Sequence, residues 1–243
     1  MNAAQFPRIE SLRFEGVSFK HENHDPTLQN CDFEFPTGRV VWFKSPEGAG
    51  KSTLLQIMAG LLLPDRGAFY MNDKNVIDMS FEEFLPYRLQ IGFTFDYGGL
   101  INNRSIEDNL LLPLLYHKIV PEGDAHARVR SLVERFEIKK FANERPAHVP
   151  GRVRKLAVLL RGLVTHPQVL LLDDPSVGLG EGTQNAFVDV LNEMRAQGHL
   201  KHIFISSYDE RFMSLMSHDI VHLDGGLLYH QPGEEAAPRA VGQ

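Results

Sequence analysis

Apolar and polar positions along the chain fall into short blocks, and the spacing changes from block to block. Leu12, Phe14, Val17 and Phe19 are spaced as in an extended segment, and Cys31-Asp32-Phe33-Glu34-Phe35 alternates apolar with polar residues. Alternation with a period of two predicts strands that bury one face. Pro36-Thr37-Gly38 reads as a turn, followed by the uninterrupted apolar strand Val40-Val41-Trp42-Phe43. A Gly-bearing loop then leads into an apolar helix from Lys51 to Leu62, and Ala68 to Met71 and Ile91 to Phe95 read as further strands.

From about Ser105 to Arg161 the pattern turns helical, and Ala127 to Phe136 carries Val129, Leu132, Val133 and Phe136 on one face. Continuous apolar runs return at Val169 to Leu172 and at Ile203-Phe204-Ile205. Such runs fit strands buried on both faces of a mostly parallel sheet. A helix from Gln184 to Gln197 lies between them, a short helix spans Glu210 to Met216, and Ile220 to Tyr229 reads as a hairpin turning at Gly225-Gly226. The polar, Pro- and Gly-containing stretch Gln231 to Gln243 is expected to be a disordered tail. The layout is α/β with a helical insertion.

Composition narrows the class. At 243 residues the chain suits one large domain, and 43% hydrophobic residues give it ample core. Lys plus Arg is 25 and Asp plus Glu is 31, a net charge of −6. That balance argues against nucleic acid as a main partner. The one cysteine, Cys31, excludes an internal disulfide framework. No apolar run approaches the roughly 18 residues that span a bilayer; Leu110 to Tyr116 is short and broken by Pro113, and Met1 to Glu10 lacks a signal-peptide core. The chain is expected to be neither exported nor membrane-spanning.

The sharpest chemical signal is Ser45-Pro46-Glu47-Gly48-Ala49-Gly50-Lys51-Ser52-Thr53, between a strand and a helix. Small residues let backbone N–H groups close around phosphates, and the helix N-terminus adds its positive end. Lys51 is placed to bridge the outer phosphates and Ser52 to ligate Mg²⁺. Ser45 stands where the strict motif has its first glycine. A bare glycine turn would leave Lys51 merely solvated; the strand–loop–helix context favours phosphate binding. The second signal is Val169-Leu170-Leu171-Leu172-Asp173-Asp174-Pro175, an apolar strand ending in two carboxylates. A strand followed by an Asp-Pro turn is common, but beside a phosphate loop Asp173 is the natural holder of Mg²⁺.

From about Ile9 to Tyr229 the chain resembles the ATP-binding cassette (ABC) ATPases. The match rests on the phosphate loop, the segment from Leu100 to His117, Arg161-Gly162-Leu163, the run from Leu170 to Leu179, and the closing Leu223-Asp224-Gly225-Gly226. The resemblance implies a P-loop NTPase with a RecA-like core, an antiparallel β subdomain and an inserted helical subdomain at about 97–160, all within a single domain of residues 1–230. It also implies a sandwich of two such domains, as a homodimer or as a heterodimer with another ABC ATPase.

Carried over position by position, the resemblance places the adenine-stacking aromatic at His21, near His24. The glutamine that senses metal and attacking water falls at Asp96, whose shorter, charged carboxylate can still ligate Mg²⁺ or accept from water. The signature segment falls at Val149-Pro150-Gly151-Arg152-Val153, where Gly151 and Arg152 would meet the nucleotide of the opposing subunit. Pro150 removes a hydroxyl and a backbone donor. Arg152 either reaches the γ-phosphate or shares a solvated or subunit-facing helix face with Arg154 and Lys155. The catalytic glutamate falls at Asp174, the next loop's aspartate at Gly180 and the switch histidine at Tyr208. Lys51, Ser52, Thr53 and Asp173 are retained, whereas groups that position water or close the second face are changed. ATP and Mg²⁺ binding are therefore expected, with hydrolysis slow or dependent on a partner.

What the resemblance implies for partners is a set of separate transmembrane permease subunits, contacted near Tyr97 to Asn103, with the chain peripheral on the cytoplasmic face of the membrane. A fainter resemblance, through Asp96 to Leu100, the Leu-Leu-Pro-Leu-Leu helix and the loop Pro175 to Gly178, is to ATPases of lipid trafficking. The alternative is a non-transport cassette acting as a nucleotide-dependent scaffold for a soluble partner. The remaining histidines, Met213 and Met216, and the charges Asp108, Arg128, Arg130 and Glu134 read as solvated or packing positions.

Overall fold

The computed structural model describes residues 6–22, 25–96 and 98–233. In the antiparallel sheet β1 (Leu12–Lys20) lies between β2 (Pro26–Glu34) and β4 (Arg66–Met71), and β5 (Lys74–Asn75) extends its edge. The alternation in the sequence is realised: Leu12, Phe14, Val17 and Phe19 are buried. The β1–β2 register shifts where Gly16 and Asn30 adopt positive φ, 60° and 45°. Glycine and asparagine tolerate that left-handed geometry, which lets the pair bulge and twist.

The second sheet runs β10-β9-β3-β8-β7-β6. Its strands β3 (Val40–Lys44), β6 (Ile91–Thr94), β7 (Val169–Asp173), β8 (His202–Ser206) and β9 (Asp219–Asp224) are parallel. The antiparallel β10 (Leu227–Gln231) folds back through Gly225 and Gly226, both at positive φ, as a tight two-residue hairpin requires. Each continuous apolar run feeds both faces. Val40, Trp42, Leu170, Leu172, Ile203 and Ile205 join a core formed with the helical insertion. Val41, Phe43, Val169, Leu171 and Phe204 pack toward the antiparallel sheet and α1 (Lys51–Met58).

α1 stops short of the expected Leu62. Gly60 turns left-handed at φ 66°, and the N–H groups of Gly60 and Leu61 close onto the carbonyls of Ile57 and Gln56, the paired bonds of a glycine-ended helix. α2 (Phe81–Arg88) starts at a reciprocal cap between Ser80 and Glu83. Between β6 and β7 lie α3 (Ile106–Tyr116), α4 (Glu122–Arg135) and α5 (Gly151–Leu163). Asp108 is not merely a solvated charge: it shares the α3 cap with Ser105. Arg128 likewise turns inward and donates to the Val164 carbonyl at 2.9 Å.

Asn109 is fully buried in α3, and its amide takes the N–H of Ile101 at 2.7 Å and donates to the carbonyls of Ile101 and Ser105 at 3.1 and 2.8 Å. One side chain thereby holds the loop that leads into the insertion. α6 (Glu181–Ala196) begins a turn before the expected Gln184, on Gly180 as its first cap, and α7 (Glu210–Ser214) is capped by Asp209.

His202 is buried at the start of β8. Its Nδ1 accepts the Gly38 N–H at 2.7 Å and its Nε2 lies 2.8 Å from the Ile9 carbonyl. Both bonds form together only in the neutral ring with the proton on Nε2. Gln231 belongs to β10, in contrast to the expected tail; residues 234–243 of that tail, together with His24 and Tyr97, lie outside the described residues. Among the described residues no helix is long and apolar enough to cross a membrane.

Candidate functional site

The candidate residues gather where the parallel strands end, the edge at which open α/β sheets carry their ligands. β3 runs into the loop Ser45 to Gly50, β6 into Asp96, β7 into Asp173 and Asp174, and β8 into Ser207-Tyr208. Gly48 and Gly50 take φ 77° and 98°, which a residue with a Cβ resists. At Gly50 space is also limiting, since a Cβ would come within 2.0 Å of Thr27 Cγ2 on β2. Unlike α2 and α3, α1 has no side-chain cap, and no acidic residue occupies its first turn. Its first N–H groups therefore have no side-chain acceptor to compete with an anion.

A cleft of about 470 Å³ opens beside this loop, lined by His21, Pro46, Gly48, Ala49, Gly50 and Thr53 among others. His21 sits edge-on to Phe19 and places Nε2 3.0 Å from Thr53 Oγ1. The ring is thus anchored at the cleft while its remaining surface stays exposed. Lys51 is buried, with Nζ 3.2 Å from Ser45 Oγ and 3.4 Å from the Ser45 carbonyl. Burial pulls its ammonium below the usual lysine range, while Asp174, Asp173 and Glu47 pull the other way.

Asp173 is buried at the end of β7 and accepts from Ser52 Oγ at 3.0 Å and Ser206 Oγ at 2.6 Å, both on Oδ1. Asp174 turns away in a left-handed conformation, φ 42°, and its N–H donates to the Ser206 carbonyl. Burial, then the charges of Asp173 and Asp96, push its carboxyl above the ordinary range. Tyr208 leaves its ring over Lys51; burial and the carboxylates of Asp174, Glu47 and Asp173 raise its phenol. The segment that carries it is held from beneath: the buried Trp42 donates its indole N–H to the Ser207 carbonyl at 2.9 Å. Neither Trp42 nor Ser206 stood out in the sequence, although a buried indole always needs an acceptor.

Gly151 and Arg152 do not join this cleft. α5 forms with Pro150 as its cap, as a proline in the first turn allows. Gly151 instead lines a second cavity of about 410 Å³ with Asp96, Arg154, Lys155 and Gly178, and Arg152 is exposed. The reading of Lys155 as part of a solvated face is corrected. Its side chain is 9% exposed, and Nζ donates to Asp96 Oδ1 at 3.0 Å and to the carbonyls of Asp96 and Asp173 at 3.1 and 3.4 Å. Arg154 is exposed as expected, but it donates to the carbonyl of Val149 at 2.9 Å.

Comparison with known proteins places this geometry. The chain is 25% identical over 214 residues to the intermembrane phospholipid transport system ATP-binding protein MlaF of Escherichia coli K12, covering 88% of this chain and 79% of that protein. It is 28% identical over 223 residues to the lipoprotein-releasing system ATP-binding protein LolD of Gluconobacter oxydans, covering 90% and 95%. With the sulfate/thiosulfate import ATP-binding protein CysA of Vibrio vulnificus it shares 27% identity over 243 residues, covering 96% of this chain and 69% of that one. A dimeric bacterial ABC transporter cassette has the same fold, with a TM-score of 0.82 at 22% identity over 93% of this chain and all of that one. The ABC transporter family model matches residues 28–177, from β2 across the phosphate loop and the insertion to the loop after Asp174. The chain therefore belongs to the ABC transporter family, as an ATP-binding cassette of the P-loop NTPase fold.

Proposed function

We propose that this cassette binds Mg²⁺–ATP in the phosphate-loop cleft and works with separate transmembrane subunits, peripheral on the cytoplasmic face, paired with a second copy or with another ABC ATPase. The reading treats residues 1–230 as one nucleotide-binding domain with a helical subdomain at about 97–160. One observation carries it: the uncapped start of α1, the buried Lys51 and the Ser52–Asp173 pair converge at one sheet edge. A hydroxyl and a carboxylate side by side form the hard oxygen set that Mg²⁺ takes. Residues Pro46 to Thr53 would hold the phosphates and His21 the base. Bound there, the metal supplies charge neutralisation for the outer phosphates.

Turnover is proposed to be slow in the isolated chain. Asp174 is one carbon shorter than the glutamate of the family pattern, and a displacement of about 1 Å can lower a rate roughly 100-fold. Pro150 offers no N–H to a phosphate on the opposing subunit, leaving Gly151 and Arg152 as that segment's only polar contributors near its start. A groove of about 520 Å³ is lined by Leu85, Leu89, Phe93, Phe95 and Tyr116, with Arg88 and Arg161, and Gly99 of the loop at 98–103 faces Phe95 and Arg161. It supports docking of a membrane subunit there. The names of two relatives, for phospholipid transport and lipoprotein release, favour a lipid-bearing cargo.

The test is Mg²⁺–ATP binding and turnover by the purified chain, alone and with the membrane fraction that co-purifies with it. Binding that is lost in Lys51→Ala, together with turnover that appears only with the membrane fraction, is the expected result. Binding untouched by Lys51→Ala overturns the site. Soluble partners alone, with no membrane association, overturn the transport role.

A further inference from the structure

Asp96 occupies the end of β6 where the family pattern has an uncharged amide, so a negative charge has been added to an edge that already holds Asp173 and Asp174. The structure shows where that charge is met. Lys155, on the second turn of α5, reaches Asp96 Oδ1 at 3.0 Å and the Asp96 carbonyl at 3.1 Å. The same ammonium donates to the carbonyl of Asp173 at 3.4 Å. It therefore joins three elements: α5 of the insertion, the loop after β6 and the last residue of β7. The side chains are 9% and 25% exposed, too enclosed for the weak coupling of surface ion pairs.

We propose that Lys155 is a positioning residue that neutralises Asp96 and latches the helical insertion to the end of the core sheet, so that the Asp96 carboxylate serves this joint and the metal side is left to Ser52 and Asp173. The proposal rests on reading the Ser52–Asp173 pair as the Mg²⁺ side of the nucleotide site. Three hydrogen bonds already saturate the ammonium. Withdrawing Asp96 to a metal would cost that ammonium its one directly bonded carboxylate, leaving it two carbonyls and the more distant charge of Asp174, and breaking a largely buried ion pair is unfavourable. The exchange of amide for carboxylate after β6 is then compensated by the lysine of α5.

A double-mutant cycle with Asp96→Asn, Lys155→Met and the two combined tests this on the full chain. Thermal unfolding without ligand reads the latch. Lys155→Met is expected to lower the midpoint by several degrees, the double variant by clearly less, and Lys155→Arg, which keeps the charge, by least. Losses that simply add in the double variant overturn the pairing. If Lys155→Met does not fold but the double variant does, the coupling is demonstrated directly. If both fail to fold, Lys155→Gln and Asp96→Asn/Lys155→Gln supply the same comparison.

Mg²⁺ titration of the binding of a non-hydrolysable ATP analogue reads the division of labour. Asp96→Asn is expected to move half-saturation less than twofold, whereas Asp173→Asn moves it at least tenfold. A tenfold rise in Asp96→Asn returns Asp96 to the metal and overturns the proposal. If the wild-type chain binds no Mg²⁺–ATP, the nucleotide reading fails on its own terms, while the unfolding cycle still decides the latch.

Discussion

The ammonium of Lys51 lies 3.7 Å from the centroid of the Tyr208 ring. The lysine proposed to hold phosphate rests on an aromatic face contributed by the loop after β8, and on that proposal a nucleotide must draw it away. A cation–π contact of this kind is worth about 0.5–1 kcal/mol where water still reaches it. Tyr208→Ala should therefore tighten ADP binding about two- to fivefold, while Tyr208→Phe, which keeps the ring, stays within twofold of wild type. Calorimetric titration with ADP checks this; the absent γ-phosphate removes any direct contact from the phenol. Weaker ADP binding in Tyr208→Ala would show that the ring supports the bound state instead.

Trp42 fixes the same loop from the opposite side. Trp42→Phe fills most of the space but leaves the Ser207 carbonyl without its donor. An unpaired buried carbonyl costs about 1–2 kcal/mol, a fall of about 2–8 °C in Tm for a chain of this size. Differential scanning calorimetry measures it, and an unchanged Tm would mean that water replaces the indole.

Asn109→Leu is isosteric but takes the acceptor from the Ile101 N–H, while the carbonyls of Ile101 and Ser105 lose one donor each and keep the backbone N–H groups of Arg104 and of position 109. The expected loss is about 1–3 kcal/mol. Because the damage is local, limited proteolysis should cut first within residues 98–105, before global unfolding. Cleavage elsewhere first would contradict the clamp.

Two histidines set an acid limit. Burial, Arg128 and His199 hold His166 down to about 4, and burial lowers His202. A depressed imidazole is neutral in the folded chain, while the unfolded chain takes up a proton below its usual value of 6.5. The unfolded state then binds more protons, so stability falls as pH drops from about 6.5 toward about 4. His166 alone contributes about 2–3 kcal/mol across that window. Chemical denaturation at stepped pH should show His166→Asn, which tolerates the φ of 54° at this position, losing less stability than wild type. Parallel pH profiles would remove His166 from the account.

Much of the core was readable from period alone, because Val40 to Phe43, Val169 to Leu172 and Ile203 to Ile205 each supply both faces of one sheet. The phosphate loop was readable because its chemistry is contiguous. Lys155 was misread for a different reason. Its neighbours Arg152 and Arg154 are exposed, and chain proximity suggested a shared face. Helical phase places Lys155 with Val158 and Gly162 on an inward stripe, a signal present in the sequence itself. No comparable signal names Ser207 as the acceptor for Trp42, or Ile101 and Ser105 as the partners of Asn109. Those pairings depend on how strands 165 residues apart meet, and on a loop whose path is set by the side chain it surrounds.

Thr27 stands against Gly50 so closely that no methyl group fits between them. Two sheets of different architecture thus share a single floor beneath the phosphate-loop cleft. For protein engineering this couples two positions: an imported phosphate loop must keep glycine at position 50, and a side chain at position 27 bulkier than threonine would close on it. The modules that can be exchanged in this chain do not coincide with its two sheets.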